Sequence, residues 1–454
     1  MKRTPVSERF LEAASLNAEA LFGDYNEIPH FSDNIDIIAD RLFNKKIVIQ
    51  TEKTNIILGI WYAFPAPVGK LDNEGISVYL KNLCNVLAQS YDISFEVWVF
   101  SWNIEPVKRI FADISDRQIK IITELDFQGD TNEIIGNAYW HFSKLAKKFS
   151  KADLFIPAIY YLDDVVYTGK PVVAIVHDLF TVHLRELFAT GRYGDQIHYD
   201  CFERFGNLLR RNAQIVTTAA STYQNQIKPY FGSIYHREPT VIRTPKNTIV
   251  EIELIDENET RAFIGTKDKY LFYPTRIRPH KNLQVLISAF AILLKKYPEL
   301  KLVLTDGFDE VPGVRKLSEE LMINESIIHL SGLSIEQLYS CYKYAECTPV
   351  STMHEAVLSW QAVEAMSAGT PVVFTDADMN RDEFEEAGFI DVIPLISGDD
   401  ADGFAGEIEY VMNNKETAIK RQEPLYKALT EYTWNDAAGE YYKLFLKVIN
   451  PTTC

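Results

Sequence analysis

The stretch Asn55-Ile-Ile-Leu-Gly-Ile-Trp61, followed by a loop rich in proline and glycine from Pro65 to Gly75 and then by Ile76 to Leu87, decides the fold class. Its opening residues are largely apolar with several isoleucines, as in a strand buried on both faces. Tyr79, Leu80, Leu83 and Leu87 then recur at helical spacing and share one face. A strand, a glycine-bearing loop and a helix in that order open a doubly wound α/β sheet, whose ligands sit just outside the carboxyl ends of the strands.

The alternation continues in both directions of reading. Phe95-Glu-Val-Trp-Val-Phe100, Ile119-Lys-Ile-Ile122, Ala152-Asp-Leu-Phe-Ile-Pro157, Pro171-Val-Val-Ala-Ile-Val176 and Ala213-Gln-Ile-Val-Thr217 are short apolar runs separated by helical patterns, which predicts parallel strands. A second series starts at Tyr270-Leu-Phe-Tyr273. It runs through a helix from Leu283 to Lys296, strands at Lys301 to Leu304 and Ile327 to Leu330, helices at Ile335 to Tyr344 and Trp360 to Ser367, and a strand at Pro371 to Phe374. The expected organisation is therefore a helical N-terminal extension over 1–50, a first Rossmann-like domain over 51–245 and a charged connection over 246–268. A second Rossmann-like domain follows over 269–430, and a C-terminal helix over 431–454. Two such domains in tandem turn the carboxyl ends of their sheets toward a central cleft, so the chemistry is expected in the strand-to-helix loops.

Composition narrows the function. The 454 residues carry 46 basic and 63 acidic side chains, a net charge of −17, which argues against nucleic acid as a partner because that binding needs a positive field. A weak peripheral contact with a membrane and self-association remain compatible with it. The hydrophobic fraction of 47% is that of a folded globular chain, which excludes disorder as the main state. Five scattered cysteines (Cys84, Cys201, Cys341, Cys347, Cys454) form no CxxC pair, so neither a zinc site nor a disulfide framework is expected. The longest apolar stretch, Ile56 to Pro67, falls short of the ~18 residues of a spanning helix, and no signal-peptide core follows Lys2 and Arg3. A soluble, cytoplasmic protein is the expectation.

Two loops carry the chemistry. Tyr273-Pro-Thr-Arg276-Ile-Arg278-Pro-His280-Lys281-Asn282 places three formal positive charges after a strand and before a helix start, either a cradle for a diphosphate or a solvated basic turn. Ser351-Thr-Met-His354-Glu355 leads to Glu364-Ala-Met-Ser-Ala-Gly369-Thr-Pro371, where Gly369 and Pro371 end a helix ahead of a strand. Glu364 stands among apolar neighbours, which is costly unless it pairs or takes a ligand hydroxyl; on the wet face of the helix it would be unremarked. The pairs Asp163-Asp164 and Asp376 with Asp378 could bind a hard cation, but read better as helix or turn caps.

Thr275-Arg276 to Lys281-Asn282, with Glu355 and the Glu364-Ala-Met-Ser-Ala-Gly-Thr-Pro-Val-Val run, resembles the donor-site signature of the retaining GT-B glycosyltransferases of the GT4 family, glycosyl transferases group 1. Tyr432-Thr-Trp434-Asn-Asp-Ala-Ala-Gly-Glu-Tyr-Tyr442 is similar to that family's terminal helix. The likeness covers most of 55–446 and implies a GT-B fold. It implies that Arg276 and Lys281 hold the diphosphate of a nucleotide sugar, that Glu364 holds the ribose and that Glu355 contacts the transferring sugar. The two glutamates lie nine positions apart, one more than in the family, which makes His354 an alternative sugar contact and is most easily absorbed in the loop ahead of the helix. Gly75 resembles the glycine that approaches the donor phosphate, with Glu74 in place of its usual partner glycine, and His177 resembles the histidine beside the reacting sugar.

The resemblance implies a hexose transfer with retention from a nucleoside-diphosphate sugar to a glycan, lipid-linked or protein acceptor, in surface polysaccharide or glycoconjugate biosynthesis. It implies no metal and no cofactor beyond the donor. The stretched glutamate spacing and the absent glycines motivate an alternative, a catalytically silent GT-B subunit that binds a glycan or a partner enzyme. An epimerase acting on a nucleotide sugar in the same fold fits the Glu364 motif and the terminal helix less well.

Overall fold

Strand β1 (Ile56–Tyr62) lies at the centre of a parallel sheet, paired on one side with β2 (Ile93–Val99) and on the other with β4 (Leu154–Pro157). The computed structural model describes residues 55–450 apart from 65–66, 69–70, 72–74, 128–137, 180–181, 183–193, 236, 247–251 and 356–358. The extension expected over 1–50 lies outside the described residues. β3 (Ile119–Ile122) pairs with the far edge of β2. A parallel bridge from Phe155 to Val172 sets β5 (Val173–Val176) beside β4, and β6 (Gln214–Thr217) and β7 (Thr240–Val241) continue outward. The spatial order β3-β2-β1-β4-β5-β6-β7 reverses direction between β1 and β4, and in such sheets that reversal opens a crevice at the strand ends.

Local chemistry explains the centre of this sheet. A Cβ on Gly59 would sit 2.4 Å from the Phe155 ring of the neighbouring strand, so only glycine lets β1 and β4 approach. Trp61 stacks near Trp98 at 6.2 Å between ring centroids, and Phe142 closes over both at 5.3 and 5.4 Å. The helix after β1, α1 (Gly75–Ser90), buries Tyr79, Leu80, Leu83, Cys84 and Leu87 against the sheet, the face that the spacing predicts.

The second parallel sheet is built likewise. β8 (Tyr270–Tyr273) pairs with β9 (Lys301–Leu304), which pairs with β10 (Ile327–His329). β11 (Thr348–Val350) pairs with β12 (Val372–Thr375), and β12 with β13 (Leu395–Ile396). The amide of Phe272 donates to the carbonyl of Cys347 at 3.2 Å and that of Glu346 to Tyr270 at 2.9 Å, which sets β11 beside β8. Here too the order β10-β9-β8-β11-β12-β13 reverses, between β8 and β11. Helix α6 (Leu283–Leu294) is apolar almost throughout and is buried between sheet and outer helices. In the stretch expected to be a bare connection, residues 246–268, the helix α5 (Glu257–Ile264) is capped by Asp256 and packs Ile264 into the second core.

After the second core the chain returns to the first. Helix α13 (Trp434–Ile449) starts at a capping box between Thr433 and Asp436 and buries Ala437, Ala438, Tyr441, Leu444 and Phe445 in the first core. The hydroxyls of Tyr441 and Tyr79 meet at 3.0 Å, and the Trp434 ring stands edge-on to Tyr79 at 5.1 Å. Polar bonds hold the other end of the seam. Lys246, almost fully buried, pairs with Glu383 at 3.0 Å, and Arg243 pairs with Glu386 at 2.8 Å, both glutamates lying on α10 (Asp378–Ala387).

The return of α13 makes Tyr441 a structural anchor. Tyr441→Ala empties a fully buried aromatic site and is expected to cost about 3–5 kcal/mol, whereas Tyr441→Phe loses one buried hydroxyl contact at about 1 kcal/mol. Urea unfolding of both variants, followed by tryptophan fluorescence, checks the order and the gap between them.

Candidate functional site

The chain leaves β8 through Tyr273 and makes the loop 274–282 before α6 begins. The amide of Ile277 donates to Asp306 Oδ2 at 3.2 Å, a residue just beyond β9, so the middle of the loop is pinned to the adjacent strand end. Arg276 stands exposed, Arg278 is half-buried, and His280 and Lys281 are buried in a tight turn. Asn282 ends that turn in the left-handed region at φ 50°, a conformation asparagine tolerates, and its side-chain amide donates to the Gly398 carbonyl at 2.7 Å.

The neighbouring loop, after β11, is laced onto this one. Ser351 Oγ donates to the Lys281 carbonyl at 2.8 Å, while Thr352 Oγ1 and the Met353 amide donate to the His280 carbonyl at 3.2 and 2.9 Å. Thr375, at the end of β12, donates to the Thr352 carbonyl at 2.5 Å. Both loops are thereby fixed at the place where the strand order reverses. There the Lys281 ammonium and the Glu355 carboxylate meet as an ion pair, their side chains only 10% and 18% exposed. His354, beside Glu355, is buried as well.

Glu364 projects from α9 (Trp360–Ser367), a regular α-helix. It is not on a wet face. Tyr342 of α8 (Ile335–Tyr344) donates its hydroxyl to Glu364 Oε2 at 2.8 Å, and burial pushes the carboxyl up to about 7 against the opposing effect of the Tyr342 and Tyr339 hydroxyls. Tyr342 in turn lies near Tyr273, whose phenol is raised mainly by burial and further by the Glu355 charge. The Tyr342–Glu364 bond and the Lys281–Glu355 pair are thus two polar contacts of this domain, with the buried Tyr273 ring near both.

The first domain contributes a separate group. Gly75 opens α1, exposed, with nothing within 4 Å of where a Cβ would stand. One turn on, the Tyr79 ring meets His177 edge-on at 4.5 Å, just past the end of β5. Burial lowers the His177 imidazole to about 4, so it is neutral at physiological pH. Gly75 and His177 therefore share one neighbourhood through Tyr79, whereas Arg276, Lys281, His354, Glu355 and Glu364 share the other.

The acidic pairs are not caps. Asp163 accepts from Asn207 at 2.6 Å and from Arg204 at 3.3 Å, and Asp164 accepts from the Trp61 indole at 3.2 Å; the cap position belongs to Leu162, with no side-chain bond. Asp376 pairs with Arg381, and Asp378 lies inside the first turn of α10. Both pairs are occupied by side chains distant in sequence or by a later turn, which local cap patterns do not reveal. Among the described residues no group of three or more His, Cys, Asp or Glu side chains is placed to hold a metal ion. Sequence reading also passed over Asp306 and Tyr342, whose contacts arise only from which strands and helices become neighbours. Ser351 and Thr352, quoted within the motif, carried the signal of small hydroxyls in a loop.

Residues 255–430 match the family model described as Glycosyl transferases group 1. The chain is 22% identical over 270 residues to the GDP-Man:Man(3)GlcNAc(2)-PP-Dol alpha-1,2-mannosyltransferase of Dictyostelium discoideum, covering 56% of this chain and 51% of that protein. It is 24% identical over 224 residues to the D-inositol 3-phosphate glycosyltransferase of Corynebacterium urealyticum, covering 46% and 51%. The matches span about half the length of these two curated relatives. Among solved structures, HepE of Anabaena in complex with UDP and glucose is similar with a TM-score of 0.64 at 14% identity, over 87% of this chain and 100% of that one. Sucrose-phosphate synthase from Thermosynechococcus elongatus is similar with a TM-score of 0.62 at 16% identity, over 88% and 100%. The fold is GT-B.

The buried carboxyl of Glu364 sets a pH signature. Its folded value, near 7, exceeds that of an unfolded glutamate, so its stabilising effect is full below about 4.5 and is lost as pH rises through 7. Glu364→Gln is expected to flatten the stability profile between pH 4.5 and 7, on the order of a few kcal/mol relative to wild type at pH 8. Urea midpoints of the two proteins across that range measure it; parallel profiles would contradict the assignment.

Proposed function

We propose that this chain, whose residues 255–430 form a glycosyl transferases group 1 domain within a GT-B fold, is a retaining glycosyltransferase that moves a hexose from a nucleoside-diphosphate sugar to a glycan, lipid-linked or protein acceptor. The observation that carries this reading is the Lys281–Glu355 pair held at the strand-order reversal, with Arg276 exposed on the same loop. That crevice is where open α/β sheets take ligands, and a lysine there can give one N–H to Glu355 and direct the others to a diphosphate.

Breaking a sugar–phosphate bond leaves negative charge on the diphosphate and positive charge at the anomeric carbon. In this reading Arg276 and Lys281 meet the first, and Glu355 lies beside the second. Cations fixed before reaction stabilise the departing diphosphate more than the intact donor, which is what speeds the step. With that charge met by side chains, we read the reaction as independent of metal and of any further cofactor. Glu364, steadied by Tyr342, would take the ribose hydroxyls, and His354 a sugar hydroxyl. The unobstructed backbone at Gly75 and the first turn of α1 would approach the phosphate. The neutral imidazole of His177 would accept a hydrogen bond from the transferring sugar or the incoming hydroxyl.

The donor class is suggested by HepE, whose solved complexes hold UDP, UDP-glucose or UDP and glucose. Among the described residues no helix is long and apolar enough to cross a membrane. We place the protein in the cytoplasm, where nucleotide sugars are made, serving surface polysaccharide or glycoconjugate assembly. The nine-residue interval from Glu355 to Glu364 favours a second reading, a catalytically silent subunit that binds a glycan or partner enzyme.

Arg276→Ala and Lys281→Ala are each expected to lower turnover by about 10²–10³ while the far-ultraviolet spectrum stays unchanged. A thermal-shift screen against UDP, GDP, ADP and their sugars identifies the donor, since a ligand of the native state raises apparent stability. Wild-type turnover in either variant would defeat the catalytic reading, and transfer or donor hydrolysis by the isolated protein would exclude the silent one.

A further inference from the structure

We infer that an aromatic shelf at the carboxyl edge of the first sheet, centred on Trp102, binds a pyranose ring of the acceptor, so that the acceptor is an oligosaccharide or a molecule bearing one. The inference rests on the glycosyltransferase reading and narrows it to one acceptor class.

Trp102 follows the end of β2 and is 41% exposed. It is held from two directions. Its indole N–H donates to the Phe64 carbonyl at 3.2 Å, and its ring lies parallel on Phe100, with centroids 4.5 Å apart and planes 16° from coincidence. Phe100 covers one face, so the exposed area is the opposite face and the edge. Phe64, at the exit of β1, meets the half-buried Tyr161, at the exit of β4, edge-on at 6.5 Å. Of the rings at these three strand exits, Phe64 and Phe100 are buried, Tyr161 is half-buried, and Trp102 is exposed and pinned.

Contact of a flat, fixed aromatic face with water is unfavourable, and a ligand that covers it relieves that cost. The negative π face complements the polarised C–H hydrogens on the apolar side of a pyranose, and because the indole is already immobilised, little ordering is lost on binding. The rim supports hydroxyls rather than anions: Ser101 Oγ donates to Glu124 Oε1 at 2.5 Å, and the Glu124 carboxylate would repel a phosphate head group.

Placement joins the shelf to the proposed reaction. β1, β2, β4 and β5 are parallel, so Trp102, Tyr161 and His177 all stand on the same edge of the sheet. β2 and β5 are three places apart, which separates the strand ends that lead to Trp102 and His177 by about 14 Å. That span exceeds a single sugar ring. The ring on Trp102 is then not the one that receives the hexose but one further along the acceptor, and recognition requires at least a short oligosaccharide.

The full chain, with its six tryptophans replaced by 5-fluorotryptophan, tests this by fluorine NMR, the Trp102 signal being assigned from its absence in Trp102→Phe. Maltotriose, cellotriose, triacetylchitotriose and mannotriose are titrated in the presence of the nucleotide chosen by thermal shift, with inositol and glycerol as controls. A saturable movement of the Trp102 signal with at least one trisaccharide, tenfold weaker for its monosaccharide and absent with the controls, is the expected result. Trp102→Ala should weaken that trisaccharide at least tenfold, Trp102→Phe less than threefold, and neither should alter the nucleotide thermal shift. A Trp102 signal that no trisaccharide moves, or equal affinity in Trp102→Ala, overturns the shelf while a nucleotide shift leaves the transferase reading standing. Failure of every nucleotide to stabilise the protein overturns that reading instead.

Discussion

A lysine ammonium and a glutamate carboxylate held together in a mostly buried crevice set the terms for everything around them. Removing Lys281 and Glu355 from water is unfavourable, and their mutual attraction offsets that cost only if both are oriented. Orientation is supplied by backbone carbonyls. The carbonyls of His280 and Lys281 are gripped by Ser351, Thr352 and Met353, and Thr352 is gripped by Thr375. Two loops separated by about seventy residues are thereby made into one rigid object, and α6, α8 and α9 pack beneath it. Because the pair is neutral in sum, the local sign of the site falls to Arg276 and Arg278 of the same loop, and the chain's net charge of −17 does not override it, since exposed charges more than about 8 Å away are largely screened.

The fold was legible because its strands are short, apolar and bounded by turn residues, and because α1, α6, α8 and α9 repeat their apolar residues on one face. Helix limits at Ile335–Tyr344 and Trp360–Ser367 agree with the sequence reading since Ser334 caps the first and Gly369, at φ 75°, stops the second. The motif of Arg276, Lys281, Glu355 and Glu364 could be quoted from the chain alone, and the first three do fall in one sheet's loops while Glu364 stands on α9. What could not be read were relations between strands. Nothing local marks Tyr342 as the partner of Glu364, Asp306 as the pin of the Arg276 loop, or Arg204 and Asn207 as the partners of Asp163. These are accidents of which strands and helices become neighbours. The helix α5 was hidden for a different reason: its polar, acidic composition is that of a connection, and only Thr260 and Ile264 of its residues are buried.

The two halves of the molecule are joined asymmetrically. At one end, α13 merges with the first core through aromatic packing, with Tyr91 and Tyr442 stacked at 4.2 Å beside the Tyr79–Tyr441 contact. At the other, Lys246 and Arg243 reach Glu383 and Glu386 by charge alone, and Ser221 approaches the Met379 sulfur at 4.0 Å. Close packing resists displacement at the first joint; at the second the exposed Arg243–Glu386 pair adds little, while the buried Lys246–Glu383 pair is costly to separate. The apolar joint therefore fixes the polypeptide's return path, and Lys246 is the main polar tie of the other.

That return path carries a consequence for synthesis. The first core is assembled from residues 56–242 together with 437–449, so its outer wall is missing while the intervening stretch is being translated. A chain released before Ala437 would carry every residue of the second core but an unfinished first one, with the Tyr79 hydroxyl without Tyr441. Completion of the first core is consequently gated by α13, and a chain that stops short of it is a product exposed to chaperones and proteases.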